Sequence, residues 1–533
     1  MLVFNIKLNS GFLWTGYVVA LLICFCGNGY GQSAVLPDPQ SATIDRLQSA
    51  DAHRSEVETL FQPTIESLQH YRCPDWFRDA KFGIYLHWGP YSVAEQGEWY
   101  ARRLYEEGST EYKYHLEHYG HPSKFGYKDF IPLWKAENFD PDALVALIKK
   151  SGAKYFTPCA VHHDNFDLWD SKFHPWNSVK MGPHKDITGM WREATLKAGL
   201  RFGVTTHLSR SYSWMNLANQ ADQAGPMKGV PYDGAAGQGL GFYPANDGQE
   251  SHPRAPLNAP QVWRDTWAAR INQLVDDYHP DLLYFDCAVP FRGEDRGQTG
   301  MNVISHFYNS GPEKVMCVKE RPWQGLYAAG MTTLDFERGK ASHILEEPWQ
   351  TDDSIGAWGY HKDKPYTTAD TQIDKLIDIV SKNGNLLLNI PIKADGTFDA
   401  TATQILEDIG AWLAVNGEGI YGTRPWYLFG EGPTNEIPHF VIKSPFKWND
   451  VRYTTQGEYL YAFVLDWPAN QKTVTLEMLA PGNSRIGEIK SVELLGCSES
   501  LDWEQHPDGL KVKFPSRKSG QFAHCLKIHL PQK

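Results

Sequence analysis

The chain has 533 residues, 42% hydrophobic, 13% aromatic and 21% charged, with a formal net charge of −12. Aromatics at this level with modest charge exclude a disordered chain, and Gly and Pro without a period exclude a collagen-like or coiled-coil rod. The acidic balance leaves no surplus of Lys and Arg for phosphates, which argues against nucleic acid as a partner, and abundant Trp leans toward neutral amphipathic ligands such as sugars.

At the N-terminus Lys7 precedes an apolar run, Tyr17 to Cys26, too short to span a bilayer. Gly29 and Gly31 before Gln32 fit a small-x-small cleavage pattern, so residues 1–31 read as a secretory signal and the protein as secreted or periplasmic. Cys24 follows Ile23 and Cys26 follows Phe25, which disfavours a lipoprotein. No further stretch reaches membrane length. The other cysteines form no CxxC pair, although Cys497 and Cys525 could pair with each other.

Apolar runs with little alternation then recur at 82–87, 155–161, 202–207, 282–285, 315–318 and 385–390, as expected of parallel strands buried on both faces. A shorter run covers 331–336. Helical patterns at 140–152, 186–198, 261–278 and 369–383 lie between them. This alternation predicts an α/β fold, a (β/α)8-like barrel over residues 32–419. Residues 210–258, without period, read as a long loop on the active-site face. From about residue 420 short alternating runs separated by Pro, Gly and Asn predict a C-terminal antiparallel β-sandwich over 420–533.

In such barrels the C-terminal ends of the strands carry the chemistry. Here they end in His87-Trp88, His162-His163-Asp164, His207, Asp286, Lys319-Glu320-Arg321 and Glu337-Arg338. A carboxylate leaving a buried strand is costly unless paired, so Asp286 reads as catalytic, with a salt bridge or metal ligation as alternatives. Glu337 is the second carboxylate, and an ion pair with Arg338 is its bland reading. Two carboxylates on one barrel face suggest glycoside hydrolysis. His162 and His163 suit sugar hydroxyls better than one metal ion, because neighbours on a strand point to opposite faces. Trp88, Trp99 and Trp169 are candidate stacking platforms, with core packing the default. Neither GxSxG nor a Walker loop occurs.

These motifs resemble glycoside hydrolase family 29, the retaining α-L-fucosidases, over most of residues 75–426. The matching pieces are Trp76-Phe77, Lys81 to Val93, Gly97 to Tyr100, His162 to Asp164, Leu168 to Lys172, Trp176-Asn177, Gly182-Pro183, Leu282 to Asp286, Trp358 to Tyr360, Gly384 to Ile390 and Asn416 to Tyr421. Their order and spacing together are specific. The resemblance implies an exo-acting retaining hydrolase of terminal α-L-fucosyl residues on oligosaccharides or polysaccharides, without metal or organic cofactor. It implies Asp286 as nucleophile, and His87, Glu98, Trp99, His162 and His163 as sugar-binding residues. Arg321 matches an arginine near the nucleophile. Glu337 is the expected acid/base, with Glu320 and Glu346 in reserve. Three positions depart from the usual pattern: Asn165 for Gly, Tyr284 for Trp, and Thr206-His207-Leu208-Ser209 for Tyr-Tyr-Ser. His207 and Tyr284 thus join the expected pocket. The alternatives are an α-L-galactosidase-like activity, a non-catalytic fucose-binding protein, and a metal hydrolase using His162, His163 and Asp286.

Overall fold

The computed structural model describes residues 60–239, 241–244, 256–319, 330–434, 446–469, 472–483 and 485–530. The predicted signal at 1–31, together with Glu320 and Arg321, lies outside the described residues.

An eight-stranded parallel sheet forms a nearly closed barrel. Its strands are β1 (Phe82–Leu86), β2 (Tyr155–Val161), β3 (Arg201–Thr206), β4 (Leu282–Phe285), β5 (Val315–Val318), β6 (Thr333–Leu334), β7 (Trp349–Ser354) and β8 (Gly384–Asn389). The order is β6-β5-β4-β3-β2-β1-β8-β7, so the seam falls between β6 and β7. A single parallel bridge, Asp335 to Gln350, and the bonds Phe336 N to Gln350 O (2.9 Å) and Arg338 N to Asp352 O (2.8 Å) close it. The apolar runs are strands because their side chains are buried on both sheet faces. Gly83 lets β1 lie against β2: a Cβ there would stand 2.4 Å from the Tyr155 ring.

Crossover helices cover the strands. They include α1 (Pro141–Lys150), α2 (Ile187–Lys197), α3 (Leu208–Trp214), α4 (Gln261–Tyr278), α5 (Gln298–Asn309), α6 (Ala369–Val380) and α7 (Ala400–Asn416). The sequence marks their starts. Asp140 accepts from Ala143 N at 3.1 Å and Asp186 from Gly189 N at 2.9 Å, each satisfying an orphan helix donor. Among the described residues, no helix is long and apolar enough to cross a membrane. The predicted loop at 210–258 needs correction at its start. The chain turns directly from β3 into α3 and a 3-10 turn (Met215–Asn219), and Trp214 is fully buried there.

Two antiparallel sheets follow. One has the order β13-β16-β11-β10-β9 and the other β12-β15-β14. They comprise β9 (Arg424–Glu431), β10 (Val451–Gln456), β11 (Tyr459–Val464), β12 (Thr473–Leu476), β13 (Ser491–Leu494), β14 (Asp502–His506), β15 (Gly509–Lys513) and β16 (His524–His529). Alternation on β11 explains the packing. Leu460, Ala462 and Val464 share a core with Val474, Leu476, Leu510 and Val512 of the second sheet, while Tyr461 and Phe463 join the barrel core. Cys525 lies opposite Phe463 and faces the barrel, whereas Cys497 packs on the sandwich core, so the two are free thiols and not a disulfide.

Barrel and sandwich also meet through buried charge. Arg452 Nε donates to Asp378 Oδ1 at 2.7 Å, and Lys382 Nζ to Asp378 Oδ2 at 2.7 Å. Burial pushes the Asp378 carboxyl upward, but Lys382 and Arg452 hold it well below the usual range. Its stabilising contribution is therefore complete above the ordinary carboxylate range and is lost as the pH falls. Arg452→Leu leaves Asp378 with one partner and is expected to cost roughly 3 kcal/mol in equilibrium urea denaturation. An unchanged midpoint and slope would contradict this account of the joint.

Candidate active site

Asp286 follows β4, and its backbone N–H donates to Thr206 O at 3.2 Å, which continues the ladder to β3 and fixes the carboxyl at the strand tip. The residue is 7% exposed. Tyr85 Oη donates to Asp286 Oδ2 at 2.7 Å, and Lys319 Nζ pairs with Asp286 Oδ1. His207 Nε2 and His87 Nε2 stand 3.4 and 3.8 Å from Oδ2. Burial alone would raise this carboxyl's pKa. The charge of Lys319 and the hydrogen bonds from Lys319 and Tyr85 outweigh it, holding the group well below the usual carboxylate range. Asp286 is therefore an anion at any physiological pH.

The imidazoles around it are neutral. Burial drives His162, His163 and His207 well below the ordinary value and His87 down to about 4. Their neighbours fix two tautomers. Asn389 Nδ2 donates to Ser354 Oγ at 2.9 Å and to Trp358 O at 2.8 Å, so its Oδ1 accepts from His87 Nδ1 at 2.8 Å. His87 Nε2 is then a bare acceptor. Tyr85 gives its hydroxyl proton to Asp286, so His207 Nε2–H donates to Tyr85 Oη at 3.0 Å. A directed chain, His207 to Tyr85 to Asp286, results. His163 Nδ1–H donates to His207 O at 3.1 Å, and His162 and His163 stand with ring centroids 4.5 Å apart.

Glu98 is 7% exposed and accepts from Gly359 N at 2.8 Å; burial raises its pKa. Trp99 is half-buried, its ring 5.6 Å from Trp214 and 6.2 Å from His163. Tyr284 is fully buried in the barrel interior, 6.0 Å ring to ring from Tyr85 and two residues before Asp286. Glu337 is half-exposed at the mouth, its Oε2 3.7 Å from Lys319 Nζ. Its neighbour Arg338 turns away, donating to Gly356 O at 3.0 Å and stacking on Trp358, so the Glu337–Arg338 ion pair is not formed. Glu346 is exposed and precedes β7, at the opposite end of the barrel from Asp286, which removes it as an acid/base candidate. Two expected platforms are corrected as well. Trp88 packs on Trp134 and Phe139 and donates to Lys393 O at 2.9 Å, and Trp169 is fully buried; both belong to the core.

The loop after β2 is rigid by construction. Tyr127 Oη donates to Asp164 Oδ2 at 2.5 Å, and Arg270 of α4 grips Asp167 through Nε (3.1 Å) and a second nitrogen. Asn165 has a left-handed φ of 66°, which an Asn tolerates where Gly is usual, and its amide ties to Phe242 O (2.9 Å) and Arg270 (2.7 Å).

The arrangement pairs an ionised buried carboxylate with a solvent-reachable second carboxylate, walled by neutral imidazoles and indoles. A family model described as Alpha-L-fucosidase matches residues 48–418, and another, Alpha-L-fucosidase C-terminal domain, matches residues 445–529. The chain belongs to the α-L-fucosidase family. It is therefore a glycoside hydrolase by family. Human tissue alpha-L-fucosidase is 28% identical to it over 490 residues, 89% of this chain and 93% of that protein. The alpha-L-fucosidase of Branchiostoma floridae is 28% identical over 474 residues, 87% of this chain and 93% of that one. Among solved structures, Thermotoga maritima alpha-fucosidase in complex with a mechanism-based inhibitor superposes with a TM-score of 0.69 at 26% identity, covering 88% of this chain and 100% of that chain.

Within this α-L-fucosidase-family chain, sequence reasoning missed Tyr85, Lys319, Trp358 and Arg210 as site residues. Tyr85 and Trp358 lay inside recognised motifs, and Lys319 in a recognised polar cluster. Arg210 of α3 bonds to Cys287 and lies in the fields of Asp286 and Glu337; nothing in its surrounding sequence marked it.

Proposed function

We propose that Asp286 and Glu337 carry out retaining, exo-acting hydrolysis of terminal α-L-fucosyl residues. Asp286 attacks the anomeric carbon and forms a glycosyl ester. Glu337 gives its proton to the departing oxygen and then takes one from the incoming water. His87 Nε2 accepts from a sugar hydroxyl, Glu98 and the other imidazoles bond the remaining hydroxyls, and Trp99 packs on the methyl face. The carrying observation is the anionic Asp286 at a strand tip, held by Tyr85 and Lys319 within a wall of neutral imidazoles. Fucosylated oligosaccharides or polysaccharides are the substrates this reading requires. Export after cleavage near Gly31 is the accompanying proposal, which the N-terminus of the mature protein would report.

One observation favours a second reading. Nitrogens of His87, His162 and His207 lie within 4.8 Å of one another and could hold a metal ion. Two-carboxylate chemistry needs none. Nitrophenol release from aryl α-L-fucoside is expected to exceed that from aryl α-L-galactoside and to survive exhaustive chelation. Activity abolished by chelation and restored by a divalent ion would move the assignment to the histidine cluster. No release at all would leave a binding protein.

A further inference from the structure

Lys319 has more anions than one cation can balance. Beyond Asp286 and Glu337, its Nζ lies 2.9 Å from Asp352 Oδ2 on β7. The Asp352 carboxyl in turn interacts with that of Asp335, at the end of β6 across the barrel seam. Both are buried, 0% and 1% exposed. Gln350 Nε2 donates to Asp335 Oδ2 at 2.8 Å, while Asp335 Oδ1 and Asp352 Oδ1 find no donor among the described residues. Two buried acceptor oxygens on interacting carboxyls are both satisfied by one proton between them.

We propose that Asp335 and Asp352 share a single proton, and that this half-ionised pair fixes Lys319 as a positioning residue between the nucleophile and Glu337. The inference rests on Asp286 being the nucleophile. The groups facing the pair are consistent with a retained proton. They are Lys319 and Cys317 from β5 and its end, Asp286 and Tyr284 from β4 and its end, Tyr85 from β1, and Glu337 after β6, while Tyr155 of β2 donates to Gln350 Oε1 at 3.1 Å. Lys319 is the cation among them. Burial pushes Asp335 up to about 6 and, with the Asp335 charge, Asp352 well above the usual range.

The arrangement suits the reaction's charge balance. Before attack Asp286 is the anion and Glu337 holds a proton. After attack Asp286 is a neutral ester, the proton has gone to the leaving oxygen, and Glu337 is the anion. One negative charge has moved from one neighbour of Lys319 to the other, with none gained or lost. Asp352 keeps the ammonium in place while its partners exchange charge.

Two measurements on the full chain test this. In infrared spectra at neutral pH, the difference between the wild type and either Asp335→Asn or Asp352→Asn is expected to contain a protonated-carboxyl C=O band lost on substitution, each change being isosteric with the acid, so that either folded variant suffices. Difference spectra that lack such a band for both substitutions overturn the shared proton. In Lys319→Met the acid limb of kcat/KM on aryl α-L-fucoside is expected to move up by about 1–3 pH units, because Asp286 loses the cation that keeps it ionised, with Lys319→Arg restoring part of the shift. An unmoved limb in folded Lys319→Met overturns the positioning role. A wild type that leaves the fucoside intact while the infrared result holds would instead remove the fucosidase reading.

Discussion

Asp286→Gly is expected to lower kcat/KM on aryl α-L-fucosides by about 10⁴-fold or more, because residues that act as a unit in forming a covalent intermediate lose nearly all function when the nucleophile goes. The structure gives the reason. The carboxylate is held by the Tyr85 hydroxyl and the Lys319 ammonium, and no other carboxyl among those described at the strand tips is held so far toward the ionised form in the pocket. Removing the side chain opens space beneath the anomeric carbon. Azide should enter it and attack from the face opposite the leaving group, giving the fucosyl azide of inverted configuration and partial recovery of rate. Proton NMR of the product checks both points. A variant that keeps wild-type turnover without azide would place the nucleophile elsewhere.

Glu337→Ala is expected to cost about 10²–10⁴-fold in kcat on substrates with a poor leaving group, the range general acid–base catalysis supplies. An aryl fucoside whose phenol leaves unaided needs no proton in the first step, so its loss should appear in turnover of the glycosyl ester and show as a burst. Azide then attacks that ester, and two inversions give a product of retained configuration. The opposite configurations from the two variants separate the roles. Equal losses on good and poor leaving groups would remove Glu337 as the acid; Glu320, outside the described residues, would then be the next carboxyl to test.

Six of the barrel strands were legible because they are apolar on both faces. β7 was not: Trp349-Gln-Thr-Asp-Asp-Ser offers no apolar run, yet every residue of it is buried. Its polar side chains are tolerated in burial only because partners from other elements meet them, Lys319 after β5 at Asp352, Lys375 of α6 at Asp353 and Tyr155 of β2 at Gln350. Those partners are distant in sequence and carry no local signal. The same limit applies to the site. Asp286, His87, His162, His163 and Glu98 were found by their place at strand ends and in motifs. The choice among Lys319, Glu320 and Arg321 depends on which side chain turns inward where β5 ends, a matter of tertiary packing. Trp88 and Trp169 looked like platforms because an indole in a motif reads alike in a core or at a ligand; burial separates them.

The most direct test is to trap the glycosyl ester. A 2-deoxy-2-fluoro-α-L-fucosyl fluoride slows both steps by destabilising the cationic transition state, while its fluoride still leaves readily enough for the first step to proceed. Peptide mass spectrometry of the treated protein should find one fluorofucosyl residue on the peptide containing Asp286, absent from Asp286→Gly. A label on Glu337 or any other carboxyl, or full turnover with no adduct formed, would contradict Asp286 as the nucleophile.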